Sequence, residues 1–414
     1  MIPSRILITD SVAINTGDAA ILKGVVSLLR TAFPSAEIRI HCHHYNEVHK
    51  RYPGLPIRRS LAESSRLFAP RYFWRWPAVV RYRIAAGVGP RGSTVLRPAV
   101  VTSNERSSVD DYRWADAIVS SGGSFLTDSY HFDHVLAGYE LGIALGKTMV
   151  ILGQTLGPFA DSRNLETVGR TISRFDLVAV RDERSGKIAK EMGVAPENLT
   201  IAADMAFNLT YHGETRSLAT RAAPRVGVSV RRWIFPGATD ALRENESYIA
   251  RMVEAIDMLV DQTQADIVFM STCQGEPGYA YRDDEVASEI RERMRHKDHA
   301  IIDRSFNTPE NFMEKAAGLD IVLGTRMHAC ILAMLAGVPS VNVEYEFKSR
   351  ELFNRLALED LIVDILEFKA DELAAKAVAL LKNRDSAERR VFAGVEALRQ
   401  QNAAVAEYMR KRFR

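Results

Sequence analysis

Cysteine is scarce in this chain. Cys42, Cys273 and Cys330 are scattered, with no paired spacing among them, which excludes a disulfide framework and a cysteine-based zinc site. A reduced, cytoplasmic setting is the expectation. Long apolar runs are missing too: nothing approaches the roughly eighteen residues that a membrane-spanning helix needs. The sequence opens on the strand-like Arg5-Ile-Leu-Ile-Thr9 rather than on a charged-then-apolar leader. Neither sign of charge is in excess. A net charge of +2 over 414 residues gives no general case for nucleic acid. Internal repeats and low-complexity tracts are likewise absent.

What is present is the composition of a globular protein, 47% hydrophobic and 26% charged, in a chain long enough for two domains of roughly 200 residues. Short apolar strands alternate with helical stretches. Ile6–Thr9 leads through Asn15-Thr-Gly17-Asp18 into a helical run over Ala19–Phe33, and Glu37–His41 reads as the next strand. Ala117–Ser120 leads into Ser121-Gly-Gly-Ser124, Thr148–Leu152 into Gly153-Gln-Thr-Leu-Gly157-Pro158, and Leu177–Val180 into Arg181-Asp-Glu-Arg-Ser185. Strand, polar or glycine turn, then helix is the pattern of a parallel sheet with helices on both faces.

The pattern lapses over 211–224, a polar, basic stretch read as a linker. It resumes with Val226–Val230, a helix near Ser247–Gln264, then Asp266–Met270, Ala300–Asp303, Asp320–Leu323 and Ser340–Val343. A long helical pattern runs from Ser386 to the end. The expected fold class is α/β: two Rossmann-like domains, 1–215 and 216–385, facing a cleft, with a C-terminal helix over 386–414 crossing back. That arrangement resembles the glycosyltransferase-B architecture.

The most informative stretch follows the strand at Ile321. Gly324-Thr-Arg326-Met-His328 sits between a strand and a helix, at the sheet edge where open α/β folds bind ligands. A fixed cation beside a titratable imidazole at a helix start suits an anionic ligand that exchanges a proton. Arg231 ends the first strand of the same domain, and Lys348 follows the strand after Gly337-Val-Pro339. Arg231, Arg326, His328 and Lys348 are therefore expected to line one wall for a small polyanion. A histidine at a helix start also packs or caps without chemistry, and Arg231 with Arg232 also reads as a solvent-facing pair.

Three further features have competing readings. Gly17 and the paired glycines Gly122 and Gly123 allow close backbone approach to a ligand, while Asn15 or Asp18 also reads as an ordinary helix cap. Neither the Ser121–Ser124 nor the Gly153–Pro158 turn matches a P-loop or a dinucleotide fingerprint. His41-Cys-His-His44 alternates faces along a strand, so its side chains do not converge on a metal. Between Arg51 and Arg97 lie ten arginines and one acid, Glu63, interleaved with aromatics. Arg66–Arg97 is read as a basic aromatic insertion (about 51–97) for contact with anionic lipid headgroups, ahead of nucleic acid, for which no motif accompanies it.

Taken in order, Asn15-Thr-Gly-Asp18, Gly-Gly-Ser124, Gly-Gln-Thr-Leu-Gly-Pro158, Val-Arg181-Asp-Glu-Arg-Ser185, Ala-Asp204-Met-Ala-Phe207, Ser-Val-Arg231, Arg326-Met-His328-Ala, Gly337-Val-Pro339 and Tyr345-Glu-Phe-Lys348 resemble the polysaccharide pyruvyl transferase family over nearly the whole chain. The resemblance implies transfer of a pyruvyl group from phosphoenolpyruvate to a sugar of a cell-surface or exopolysaccharide precursor, as a ketal, with release of phosphate. It implies a glycosyltransferase-B fold without a nucleotide-sugar donor, donor-binding Arg231 and Arg326, and a catalytic His328. Lys348 joins the donor side, while Asn15, Asp18 and Gly123 are expected to face the acceptor. No cofactor or metal is required beyond phosphoenolpyruvate as donor substrate. A lipid-linked glycan acceptor would place the protein at the inner face of the membrane. The basic insertion departs from a minimal family member and leaves the acceptor open. The enzymatic alternative is a glycosyltransferase using a nucleotide sugar, with Glu344 or Glu346 at the ribose; the non-enzymatic one is a carbohydrate-binding scaffold.

Overall fold

The computed structural model describes residues 2–63, 78–88, 102–213, 222–233, 240–276 and 279–413. Its contacts divide the chain into two units. Unit 1 comprises Met1–Ile14, Ala20–Asn208 and Gln400–Arg414, and unit 2 comprises Asn15–Ala19 and Leu209–Arg399.

Unit 1 carries β1 (Arg5–Ser11), β2 (Glu37–Cys42), β3 (Ile57–Arg59), β4 (Ala117–Ser120), β5 (Gly123–Leu126), β6 (Thr148–Leu156), β7 (Leu177–Val180) and β8 (Leu199–Ile201). They form a sheet in the order β3-β2-β1-β4-β6-β7-β8, with β5 alongside β6; every pairing is parallel. The described helices are α1 (Thr16–Ala32), α2 (Tyr45–Arg51), α3 (Ala78–Ala85), α4 (Ser103–Trp114), α5 (Asp133–Ala144), α6 (Ser162–Ile172) and α7 (Glu183–Glu191). The central strands are buried on both faces, as the unbroken Leu-Val-Ala-Val of β7 requires.

Unit 2 carries β9 (Arg225–Ser229), β10 (Asp266–Met270), the short antiparallel pair β11 (Gln274–Glu276) and β12 (Tyr279–Arg282), β13 (Ala300–Asp303), β14 (Ile321–Gly324), β15 (Ser340–Glu344) and β16 (Ile362–Asp364). Its parallel sheet runs β13-β10-β9-β14-β15-β16. Its helices are α8 (Ala241–Thr263), α9 (Asp283–Arg293), α10 (Pro309–Ala317), α11 (Met327–Leu335), α12 (Phe347–Arg355) and α13 (Ala370–Lys382). The last helix, α14 (Arg384–Arg412), begins in unit 2 and from Gln400 counts with unit 1.

Strand order fixes where each unit leaves room for a ligand. In unit 1 the chain winds outward from β1 through β2 to β3, then returns to the other side of β1 with β4. In unit 2 it winds from β9 to β13, then returns beside β9 with β14. The connections diverge at these reversals, leaving a crevice at the carboxyl ends of β1 and β4 in one unit and of β9 and β14 in the other. Arg231 and Arg326 follow the two strands that flank the second reversal.

Most of the Arg66–Arg97 stretch lies outside the described residues. Where it is described, one of its cations is turned inward: Arg81 is 4% exposed and donates to Glu105 at 2.5 Å. Glu105 in turn closes the capping box of α4 with Thr102.

Candidate active site

The carboxyl edge of the unit 2 sheet collects the residues singled out above. The Thr325 hydroxyl, immediately after β14, lies 2.8 Å from that of Tyr248 on α8, and Arg326 occupies the cap position of α11. Nε and Nη2 of Arg326 donate to the buried Asp283 carboxylate at 3.1 and 2.6 Å. Burial works against the Arg326 charge, yet Asp283 beside it holds the guanidinium well above its ordinary value. Asp283 also accepts from the backbone N–H of Cys273 at 3.0 Å. The arginine expected to meet a donor anion is thus already held in place by a carboxylate that sequence reading did not name. Nothing local distinguishes Asp283 from Asp284 and Glu285, which share the acidic first turn of α9.

Arg231 is 7% exposed. Its guanidinium lies 4.7 Å from the Trp233 ring centre and 4.5 Å from that of Tyr345, and the two rings sit 4.4 Å apart. Lys348 Nζ lies 5.9 Å from the same Tyr345 ring. The structure thereby gathers Arg231 and Lys348 around one aromatic pair, whose quadrupoles favour cations at their faces. Both acids after Gly337-Val-Pro339 are engaged by cations of the chain: Glu344 pairs with Arg350, and Glu346 with Lys348 at 2.5 Å.

His328 occupies the first turn of α11 and is partly exposed. Its ring lies against Gly17. A Cβ on Gly17 would stand 2.8 Å from Cγ and Nδ1 of His328, closer than a real side chain tolerates, so only glycine admits the imidazole there. This contact lies within unit 2, because Asn15–Ala19 counts with that unit. Thr16 anchors the segment: its N–H donates to the Thr272 carbonyl at 3.0 Å and its hydroxyl to the Asn307 carbonyl at 2.7 Å. Asn15 caps α1 by accepting from the Asp18 N–H at 2.8 Å and donates its amide to the Asp18 carboxylate at 2.6 Å. The structure brings Asn15 and Asp18 together with His328 in unit 2; Gly123 belongs to unit 1, where it opens β5.

Other shared motifs meet in unit 1. Arg181, buried after β7, donates to Ser124 Oγ at 2.7 Å and Thr155 Oγ1 at 2.6 Å, and pairs with Asp204. One guanidinium therefore ties the Gly-Gly-Ser, Gly-Gln-Thr and Ala-Asp motifs into a buried network.

The sequence pattern of the family described as "Polysaccharide pyruvyl transferase" matches residues 15–346. The chain belongs to that family. It is 23% identical over 404 residues to amylovoran biosynthesis protein AmsJ of Erwinia amylovora, covering 92% of this chain and 93% of that protein. Among solved structures it is similar to Anabaena Alr3699/HepE in complex with UDP-glucose, at a TM-score of 0.57 and 12% identity over 98% of each chain. The S. aureus MnaA–UDP co-structure aligns at a TM-score of 0.58 and 11% identity, over 94% of this chain and 90% of that one. Likenesses this remote concern the fold, which is the glycosyltransferase-B type. Family membership makes the chain a polysaccharide pyruvyl transferase. No described helix is long and apolar enough to cross a membrane.

Proposed function

We propose that this pyruvyl transferase moves the pyruvyl group of phosphoenolpyruvate onto two hydroxyls of one sugar in a cell-surface or exopolysaccharide precursor, as a cyclic ketal, and releases phosphate. The observation that carries this reading is the gathering of Arg231, Lys348, Arg326 and His328 around one sheet edge, with the imidazole held against Gly17. Phosphoenolpyruvate brings a carboxylate and a phosphate to be neutralised, and an enol whose methylene carbon must accept a proton.

In this scheme Arg231 and Lys348 hold the anionic groups of the donor, and Arg326, steadied by Asp283, adds a fixed positive charge at the start of α11. His328 donates a proton to the methylene carbon, which becomes the methyl group, and C2 turns electrophilic. A sugar hydroxyl attacks C2, and the second hydroxyl closes the ketal as the C2–O bond to phosphate breaks. Of the two hydroxyl protons, one replaces that lent by His328 and the other leaves with phosphate. General acid–base assistance of this kind is worth roughly 100- to 10,000-fold. Asn15 and Asp18 stand on the His328 side and Gly123 in unit 1 as acceptor-facing positions. The scheme draws on no metal or further cofactor. A lipid-linked acceptor at the inner membrane face would account for the basic Arg66–Arg97 stretch.

A nucleotide-sugar reaction would want a carboxylate for the ribose after Gly337-Val-Pro339. The pairing of Glu344 with Arg350 favours the pyruvyl reading. The test is phosphate release from phosphoenolpyruvate by wild type and His328→Ala, with aryl and lipid-linked sugars as acceptors. Acceptor-dependent phosphate from wild type and its loss in the variant are expected. Release of nucleoside diphosphate from nucleotide sugars, with no phosphate from phosphoenolpyruvate, would overturn the reading.

A further inference from the structure

Asp10 has no part in the donor chemistry, and the sequence does not single it out. It ends up at the carboxyl end of β1, beside the strand reversal of the unit 1 sheet. The β1–β2 register shifts between Ile8 and Ser11, and Asp10 is the residue turned out of the ladder, with φ of +62°. A left-handed backbone at a non-glycine residue is uncommon; asparagine and aspartate are among the few that tolerate it.

Around the carboxylate are hydroxyls. Thr9 Oγ1 donates to Asp10 Oδ2 at 2.8 Å. The Ser120 and Tyr139 hydroxyls, 2.8 Å from each other, and the Tyr112 phenol on α4 stand near the Asp10 carboxyl. Asp10 takes part in no ion pair among the described residues. The next residue, Ser11, has a buried Oγ without a hydrogen-bond partner in the structure. Burial pushes the Asp10 carboxyl up to about 6 despite the hydroxyls around it.

A purely structural turn would be served as well by asparagine, which accepts the same backbone and carries no charge. A carboxylate with no ion-pair partner beside the strand reversal makes sense if a ligand supplies a further hydrogen bond to it. Such a ligand needs donors and no negative charge, which describes a sugar hydroxyl and excludes a phosphate or carboxylate. We propose that Asp10 binds the glycan acceptor, its carboxylate accepting a hydrogen bond from a sugar hydroxyl at the β1–β4 reversal of unit 1. The assignment rests on the pyruvyl-transfer reading for the identity of the sugar as acceptor.

The test compares wild type with Asp10→Asn, which retains the side-chain shape and suits the backbone, and with Asp10→Ala, each first checked for cooperative thermal unfolding. The probes are p-nitrophenyl β-D-glucoside, β-D-galactoside and β-D-mannoside. Steady-state phosphate release gives separate KM values for phosphoenolpyruvate and for the sugar. A hydrogen bond to a charged group is worth enough to raise the sugar KM roughly 10- to 100-fold on its loss, with the phosphoenolpyruvate KM unchanged. The acid limb of sugar kcat/KM near pH 6 should flatten in Asp10→Asn. Unchanged sugar KM and an unchanged limb in both variants would overturn the proposal, as would an equal rise in both KM values. Saturation-transfer NMR with the same glycosides reads binding without turnover. A wild type that binds a glycoside yet releases no phosphate with any of them counts against pyruvyl transfer alone, and loss of that binding in Asp10→Asn then still supports the role of Asp10. Equal transfer to wild type and variant refutes it.

Discussion

Replacing Asp10 by asparagine should make the protein more stable, and only above acid pH. The folded carboxyl titrates at about 6 against an ordinary 3.8, so folding favours its protonated form. At or below about pH 3.8 both folded and unfolded states carry the proton and the site is not penalised. As pH rises the unfolded chain ionises freely while the folded one resists, and stability falls until the folded group has also ionised, somewhat above pH 6. The gap of about two pH units, at about 1.4 kcal/mol for each, gives a loss of about 3 kcal/mol that is complete near pH 8. Asparagine removes it and retains one acceptor oxygen for Thr9. The variant should therefore match wild type at pH 3.5–4 and exceed it by up to about 3 kcal/mol at pH 8, or roughly 6–12 °C in melting temperature for a domain of this size. Thermal melts of both proteins at half-unit steps from pH 4 to 8 measure this directly. A stability difference that is flat with pH, or a variant less stable than wild type at pH 8, would sink the argument, because the carboxylate would then be compensated by something other than those hydroxyls.

Other perturbations have equally definite outcomes. Gly17→Ala should lower activity at least 10-fold and destabilise by about 1–3 kcal/mol, because the added Cβ meets Cβ, Cγ and Nδ1 of His328 and ring rotation alone does not relieve it; activity near wild type would mean that the ring has room to move. Asp283→Asn leaves the mostly buried Arg326 without its carboxylate and should destabilise by about 3–5 kcal/mol, read by urea unfolding. Arg181→Ala strands Asp204 in the same way, with a similar loss expected and with the unit 1 sheet exchanging amide hydrogens faster. Binding to anionic vesicles should exceed binding to neutral ones if the Arg66–Arg97 stretch meets headgroups, and equal binding would count against that role.

The sequence made the architecture legible where strands are apolar and bounded by turns. Ala117–Ser120, Leu177–Val180, Asp266–Met270 and Ala300–Asp303 form strands over the residues expected. It was silent on β3, β8 and β16, each of three residues and too short to show a period. It was also silent on β5, whose opening Gly123 reads as a turn residue yet pairs along the extension of β6. At the candidate site Arg231, Arg326, His328 and Lys348 were visible because each follows a recognisable strand. Asp283 and the Gly17–His328 contact were not, because they join residues 43 and 311 positions apart, and no local pattern encodes such a meeting. The hydroxyl-lined setting of Asp10 was hidden for the same reason.

The placement of Asn15–Ala19 bears on how this enzyme can be recombined. A chimera made by exchanging everything before the 211–224 linker would import, from its new parent, the five-residue turn against which His328 rests. The proposed donor chemistry would then depend on a piece that travels with the other half of the molecule. Productive shuffling should graft residues 15–19 together with 209–399, and a natural lineage that changed its acceptor by swapping the N-terminal half would have had to preserve that turn.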